Sequence, residues 1–438
     1  MGRLCTKEVD CVGGAGTLSG ELELQARWFS GEFGRDFVGT DGETVRIVQF
    51  GVWNRVAGPD FVDAAVSIDG EEPQRGAIEI DPDARDWERH GHSTNPDYEQ
   101  VRLHVFLRNA PQRFFSRTLS HRRVPQVQLA PVNGSGPRGE DAVAAPGRCS
   151  RALERLSAEE LREVLHHAGK YRFERKAAAI ARAAEVHGNG EALFQAVAAG
   201  MGYPGNQLPF RLLAQRLPLR RLQRDPEAAE ALLFGVGGFL PGPDLGGLGL
   251  EARIHAKTLW EKWWRHWGSH QTLGIPRSIW RLGGQRPANH PQRRLAALGV
   301  LVRHWRSVVR FAGSRDWRRL RTVLVRLSHP FWNAHYTFQG KPARAPLALL
   351  GDERAAELLV NVFLPAAGDW ATLLKMRAPE RNRRSRISAA RLLPHRPDTL
   401  AMLGSAVNQQ GILQLYEDFC SRDASDCKDC PFPGLIGH

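Results

Sequence analysis

Apolar and polar positions change their rhythm once along this chain, near residue 150. Before that point the apolar residues fall in short, strand-length runs: "TVRIVQF" (44–50), "DAAVSID" (63–69), "RGAIEID" (75–81), "QVRLHVFLR" (100–108) and "PQVQLAP" (125–131). These runs are rich in β-branched and aromatic residues and are punctuated by Gly, Pro, Asp and Asn, as strands between turns are. Ahead of them, "ELELQARWF" spaces Leu22, Leu24 or Gln25, and Trp28 as a short amphipathic helix does. The pattern predicts a helix, a meander of three strands, an irregular or helical connection, and two more strands.

Beyond residue 150 the period becomes helical. "SAEELREVLHHAGKYRFERKAAAIARAA" opens with a capping box, Ser157 with Glu160. Further helical runs follow between short Pro and Gly breaks: "PFRLLAQRL", "DPEAAEALLFG", "IHAKTLWEKWWRHW", "PQRRLAALGVLVRHWRSVVRF", "AAELLVNVFL" and "NQQGILQLYEDF". No fixed period repeats, which argues against a solenoid. At 438 residues the chain is longer than one core usually supports. The expected layout is a disordered lead (1–19), an α/β domain (20–132), a linker (133–150), an all-helical domain (151–415) and a C-terminal cysteine segment (416–438).

Charge adds to this picture. The net charge is +13, yet residues 1–150 hold 17 Lys and Arg against 22 Asp and Glu, so the remainder is strongly basic. An acidic first third beside a cationic remainder suggests a carboxylate site supplied with a polyanion, DNA or RNA, by its basic partner domain. The plainer reading is an arginine-rich soluble protein with nonspecific nucleic-acid contacts. No apolar run approaches the ~20 residues a bilayer requires, and the N-terminus lacks the apolar core of a secretory signal. A cytoplasmic protein without a membrane partner is expected.

The acidic residues fall at particular places. Asp60 precedes the second long strand, and Glu79 and Asp81 end the third. On neighbouring strands, Asp60 and Glu79 can hold a divalent cation of the Mg²⁺ or Mn²⁺ type, with Glu21 of the first helix as a further carboxylate. The plain alternative is a Gly-Pro-Asp turn beside a strand's solvent face.

The order of helical Glu21, Pro59-Asp60 and Glu79-x-Asp81 resembles the PD-(D/E)XK nuclease core, whose metal ligands occupy those places. The wider pattern, "WNRVAGPDFVDA", "GAIEID", "DWERHGH" and "YEQVRLHV", resembles an uncharacterised bacterial family, domain of unknown function 2851. "PGNQLPF", "ALLFGVGGFLPG", "HPFWNAHYTF" and "DFCSRDASDCKDCPFP" extend that likeness along the chain. The resemblance implies a restriction-endonuclease-like mixed sheet followed by a mainly α-helical domain. It also implies metal-dependent hydrolysis of phosphodiester bonds, with the basic helices holding the substrate. One departure matters: such nucleases carry Lys two residues after the Glu, and Asp81 stands there. His90 or His92 of "DWERHGH" can take over water activation, and Asp81 can be a further metal ligand. The competing implication is a noncatalytic nucleic-acid-binding or scaffold protein on a degenerate nuclease fold; a weaker third is a metal-dependent hydrolase of another substrate.

Other residues carry weaker signals. His90-x-His92 with His104 offers a zinc site, ranked below a role beside the carboxylates. Trp87 and Tyr98 read as local packing or as platforms for a base. Cys420, Cys427 and Cys430 form C-x6-C-x2-C near the C-terminus, and Cys149 is the candidate fourth ligand of a zinc ion or an iron–sulfur cluster. Cys5 and Cys11 read as ordinary thiols. Most tryptophans of the helical part read as core, and its exposed arginines as phosphate contacts. Arg286, Asn289, Asn206 and Asn361 show no chemistry specific enough to name a role.

Overall fold

The computed structural model describes residues 24–25, 27–28, 33–54, 58–129, 146–240, 242, 245–282, 286–420, 427 and 430–436. The expected lead, Glu21, Cys5, Cys11, residues 130–132 of the expected α/β domain and residues 133–145 of the expected linker lie outside the described residues.

Each long apolar run of the first part is a strand. Among the described residues seven strands form one mixed sheet: β1 (Asp36–Val38), β2 (Thr44–Gln49), β3 (Val52–Trp53), β4 (Phe61–Ile68), β5 (Gln74–Asp83), β6 (Val101–Arg108) and β7 (Gln126–Gln128). The order is β1-β2-β4-β5-β6-β7, with β3 paired to β4. β2, β4 and β5 make the antiparallel meander, whereas β6 runs parallel to β5 and β7 parallel to β6. A parallel return needs a crossover of a dozen or more residues. Residues 84–100 supply it, with α1 (Asp86–Arg89) and two 3₁₀ turns, His92–Thr94 and Pro96–Tyr98.

The two-residue period of the strands sorts their side chains. Ile78 and Ile80 of β5, with Leu103 and Val105 of β6, enter the large core. Glu79 and Asp81 alternate with them and so face the other side of the sheet, under the 84–100 crossover. There Ala77, Trp87, Tyr98, Val101 and Val124 form a small separate apolar cluster. Leu24 and Trp28 of the first helical turn are buried against the sheet's large core, Trp28 stacking on Phe37.

The second part is mainly helical. Its elements include α2 (Ser150–Arg155), α3 (Ala158–His187), α4 (Asn189–Met201), α5 (Tyr203–Arg216), α6 (Ala229–Val236), α7 (Leu250–His270), α8 (Pro291–Arg303), α9 (Trp305–Gly313), α10 (Arg383–Leu392) and α11 (Ala406–Leu415). The Ser157 capping box starts α3, with Ser157 Oγ accepting from Glu160 N and Glu160 Oε2 accepting from Ser157 N. The run 291–311 is two helices: backbone at His304 leaves the helical region, so Trp305 turns in to pack edge-on against Phe194. Residues from α4 to Phe363 share one core. Leu153, Leu161, Leu165, Ile387, Leu392, Ile412, Leu415 and Phe432 join the sheet's core instead, so both ends of the helical part close on the sheet. No helix among the described residues is long and apolar enough to cross a membrane.

Candidate functional site

Asp60 stands just before β4, where the β4–β5 register shifts between Phe61 and Ala64 and Asp63 adopts φ +55°. Such a bulge bends a strand and re-aims the side chains beside it. Asp60 and β5 then hold each other reciprocally: Asp60 N donates to Glu79 Oε2 at 2.9 Å, and Ile80 N donates to Asp60 Oδ2 at 3.0 Å. Gln25 Nε2 of the first helix donates to Asp60 Oδ1 at 2.7 Å. Asp60 and Glu79 are therefore fixed relative to one another before any ligand arrives.

The crossover brings histidines to the same carboxylates. Gly91, at φ +74°, reverses the chain between His90 and His92, a conformation glycine adopts without a Cβ penalty. Both rings thereby meet Asp81. His90 Nδ1 is 3.3 Å from Asp81 Oδ1; His92 Nε2 is 3.1 Å from Glu79 Oε1 and 3.9 Å from Asp81 Oδ2. The His92 ring is stacked on Tyr98 at 3.9 Å and touches the edge of Trp87 at 5.4 Å. Trp87 is itself anchored by Nε1 to Arg117 O. Tyr98 and Trp87 are thus walls of the site, both buried. Burial pushes the Tyr98 hydroxyl far above its ordinary value, and the charges of Glu79, Asp60 and Asp81 add to that.

Asp81 is also held from β6. His104 pairs with Glu79 in the β5–β6 register, and its Nε2 lies 3.2 Å from Asp81 Oδ2. Gln126 Nε2 donates to Ser116 Oγ at 2.9 Å, which leaves the Ser116 hydroxyl proton for His104 Nδ1 at 2.6 Å. The proton of neutral His104 then sits on Nε2 and faces Asp81. Burial holds His104 below its ordinary value, against the opposing pull of Asp81, so it stays neutral at pH 7.

The structure therefore brings together Asp60, Glu79, Asp81, His90 and His92. One ligand atom from each of Asp81, His90 and His92 lies within 4.8 Å of the others, spacing suited to a metal ion. Two imidazoles and a carboxylate suit a transition cation such as Mn²⁺ or Zn²⁺ better than Mg²⁺, which prefers oxygen. Asp81 is 1% exposed and His90 45%, so the group opens to solvent on the His90 side. His104 approaches Asp81 but joins no ligand group with His90 and His92 among the described residues. Gln25, Ser116 and Gln126 belong to the site although nothing in their own types announces it.

The profile of the family described as "Protein of unknown function (DUF2851)" matches residues 21–383. The chain belongs to that family. No curated protein and no solved structure gives a significant match. The DUF2851 match spans the whole carboxylate–histidine site and stops before the C-terminal cysteines.

Those cysteines lie beyond the DUF2851 match but gather around the start of its helical part. Cys149, Cys420 and Cys427 are buried and Cys430 partly so. Burial pushes the Cys149 thiol up to about 12, and charge on Cys420, Cys427 and Cys430 adds to the rise. Burial likewise pushes Cys420 up to about 11, opposed by nearby Arg391. Arg391 Nη2 donates to Cys427 Sγ at 3.1 Å. The four sulfurs thus share one neighbourhood, Cys149 being separated from the others by almost the whole helical part. A cation held there inverts these shifts, because a coordinated thiol is deprotonated outright. Zinc ions and iron–sulfur clusters both use thiolate ligands, but among the described residues no three of these sulfurs lie within 4.8 Å of one another, so the group is not preformed for a zinc ion.

In the helical part Trp263, Trp280, Trp305 and Trp332 are core, whereas Trp264 is 57% exposed and stacks on Trp260. Asn206 clamps the backbone of Arg281 with both ends of its amide, Asn361 accepts from Lys176, and Asn289 accepts from Arg294. These asparagines hold structure. Arg286 is exposed.

Proposed function

We propose that this chain is a metal-dependent phosphodiesterase, a nuclease acting on DNA or RNA, with its basic helical part holding the substrate. The observation that carries the reading is convergence: residues from the start of β4, from β5 and from the β5–β6 crossover, far apart in sequence, meet in one patch. The sheet in which they meet, an antiparallel meander continued by parallel strands, supports a restriction-endonuclease-like PD-(D/E)XK core. In that core Asp81, His90 and His92 would hold the cation, with Glu79 Oε1 beside His92 Nε2 as a further carboxylate. The metal, when bound, lowers the pKa of a water and polarises a phosphoryl oxygen. The water's proton would leave to solvent on the side where His90 is 45% exposed. Asp81 thus stands in the lysine's place as a ligand. Trp264 and the surrounding arginines offer stacking and phosphate contacts to a single strand.

A second reading draws on Asp60, whose two carboxylate oxygens are both engaged by Gln25 and Ile80. A site closed in this way suits a noncatalytic nucleic-acid-binding or scaffold protein. Incubating the purified chain with Mn²⁺ and labelled single- and double-stranded DNA and RNA separates the two. Cutting that falls at least a hundredfold in Asp81→Asn, with the variant still folded, is the expected result. Tight binding without cutting supports the second reading. Neither binding nor cutting overturns both.

A further inference from the structure

A second cluster of titratable groups lies in the helical part, away from the sheet. On α7, Glu251, Ile254, His255, Thr258, Leu259 and Lys262 recur at spacings of three and four and so share one face. That face lines a cavity of about 610 Å³, bounded on its other sides by residues before and within α6, by Arg303 of α8 and by the turn around Phe331. Its size is that of a small-molecule site.

Glu230 of α6 organises the polar end. Its Oε1 accepts from His255 Nε2 at 2.9 Å and from Trp332 Nε1 at 2.6 Å, while Oε2 lies 2.9 Å from His329 Nε2. Burial alone raises a carboxyl, but the donors from His255 and His329 outweigh it and hold Glu230 below the usual carboxylate range. One atom each of Glu230, His255 and His329 lies within 4.8 Å of the others, as in a metal site. The protons argue against a metal. His329 Nδ1 accepts the backbone N–H groups of Phe331 and Trp332 at 3.1 and 3.2 Å, so its own proton sits on Nε2 and no lone pair is left there for a cation. A metal-bound imidazole has the reverse arrangement, donating through its other nitrogen.

The same logic fixes His255. Ionised Glu230 only accepts, so His255 carries its proton on Nε2, and its Nδ1 is an acceptor that no hydrogen bond occupies among the described residues. Phe331 stacks on the ring at 4.6 Å and holds its plane.

The other end is cationic. Lys262 stands seven residues after His255 on the same helix face, roughly 10 Å along the axis. Lys262 Nζ donates to Glu227 O at 2.7 Å, and Arg303 Nη1 lies 3.3 Å from Glu227 Oε2, so both cations converge on one residue. Glu227 is 68% exposed, and a surface pair of this kind is weak enough for an anionic ligand to replace. Between the two ends Ile254, Leu259 and Pro330 give an apolar wall.

We propose that this cavity is a second ligand site, for a mononucleotide: its phosphate lies on Lys262 and Arg303, its base against the apolar wall, and a ribose O–H or base N–H donates to His255 Nδ1. The proposal stands independently of the sheet site. Calorimetric titration of the full chain with the four ribonucleoside 5′-monophosphates, with inorganic phosphate and with Zn²⁺ tests it. At least one nucleotide is expected to bind one-to-one and more tightly than inorganic phosphate. Loss of a hydrogen bond to a charged group weakens binding about tenfold, so Lys262→Met and His255→Ala are each expected to show that loss, with Asp60→Asn unchanged. Lys262 is a surface residue, so its variant keeps the test usable if His255→Ala fails to fold. The proposal is overturned if no nucleotide saturates at millimolar concentration, if Lys262→Met binds as the wild type does, if Asp60→Asn loses binding, or if Zn²⁺ alone binds at the cluster.

Discussion

At the scale of the residue, the proposed chemistry turns on Asp81. It is almost fully buried and meets three imidazoles, two from the crossover and one from β6. Its neighbours on the chain suggest a metal site by their residue types; its orientation depends on a relay, Gln126 to Ser116 to His104, that no motif encodes. Outer partners of this kind typically cost ten- to a hundredfold in metal affinity when removed. His104→Gln is therefore expected to weaken Mn²⁺ affinity at the sheet site by about that factor, measured by metal titration, and Mn²⁺ affinity equal to wild type would assign His104 to packing alone. Lys176 makes a different point. The residue as a whole is half-buried, but its ammonium is enclosed, donating to Asn361 Oδ1 and Gln410 Oε1, both at 2.6 Å. Desolvation holds it well below the ordinary 10.5, with Arg172 and Arg175 adding to the drop. The unfolded chain then binds a proton the folded chain lacks, so stability rises as pH climbs toward about 10.5. Lys176→Met removes that rise: in urea melts the stability of the variant minus that of the wild type should fall from pH 7 to pH 10, and a constant difference contradicts the enclosed ammonium.

At the scale of the element, the long strands and the α3 start were legible because each carries its own signal over many residues. Alternation marks β2, β4, β5 and β6, and Ser157 with Glu160 marks the helix cap. β1 and β3, three and two residues long, are too short to show a period. The helical runs near residues 359 and 416 pass into wider π-helical turns, which apolar spacing does not distinguish from α-helix. Close approach is equally silent in the pattern: a Cβ on Gly411 of α11 would collide with Leu165 O of α3. Caps also carry a pH dependence. His290 starts α8 by accepting Gln292 N on Nδ1, and burial holds it down to about 4. Between about pH 6.5 and 4 the unfolded chain binds a proton that the folded chain refuses, so stability is lost on acidification by on the order of 2–3 kcal/mol. Asn caps as well without titrating. His290→Asn should therefore melt like the wild type at pH 7.5 and at higher temperature than the wild type at pH 4.5, and equal melting at both pH values would show that the ring is not held neutral.

At the scale of the molecule, the boundary near residue 150 is real as a change of period and absent as a change of core. Leu153, Leu161 and Leu165 lie just after it, and Ile387, Ile412 and Phe432 near the other end, yet all share one core with strands β2, β4, β5, β6 and β7. Local periodicity reports which face of an element is apolar and cannot report which distant element covers it. The cysteines sit at this closure. Cys149 precedes α2, Cys420 follows α11, and Arg148 and Arg391 both bond to Cys427, so a metal there ties the first helical residues to the last turn of the chain. The raised Cys149 and Cys420 thiols mean that, metal-free, these two remain protonated and contribute little beyond packing. Metal binding must displace those protons, and the bound ion then adds its affinity to the stability of the closed form. Cys149→Ser and Cys427→Ser should each lose the bound metal, read as zinc by elemental analysis or as iron–sulfur by visible absorption. Each should lower the melting temperature by several degrees and expose the C-terminal segment to protease first. Because the closure uses the same core as β5 and β6, metal removal should also weaken Mn²⁺ binding at Asp81. An unchanged Mn²⁺ affinity after metal loss would show that the cysteine cluster and the sheet site, though joined by one core, are energetically separate.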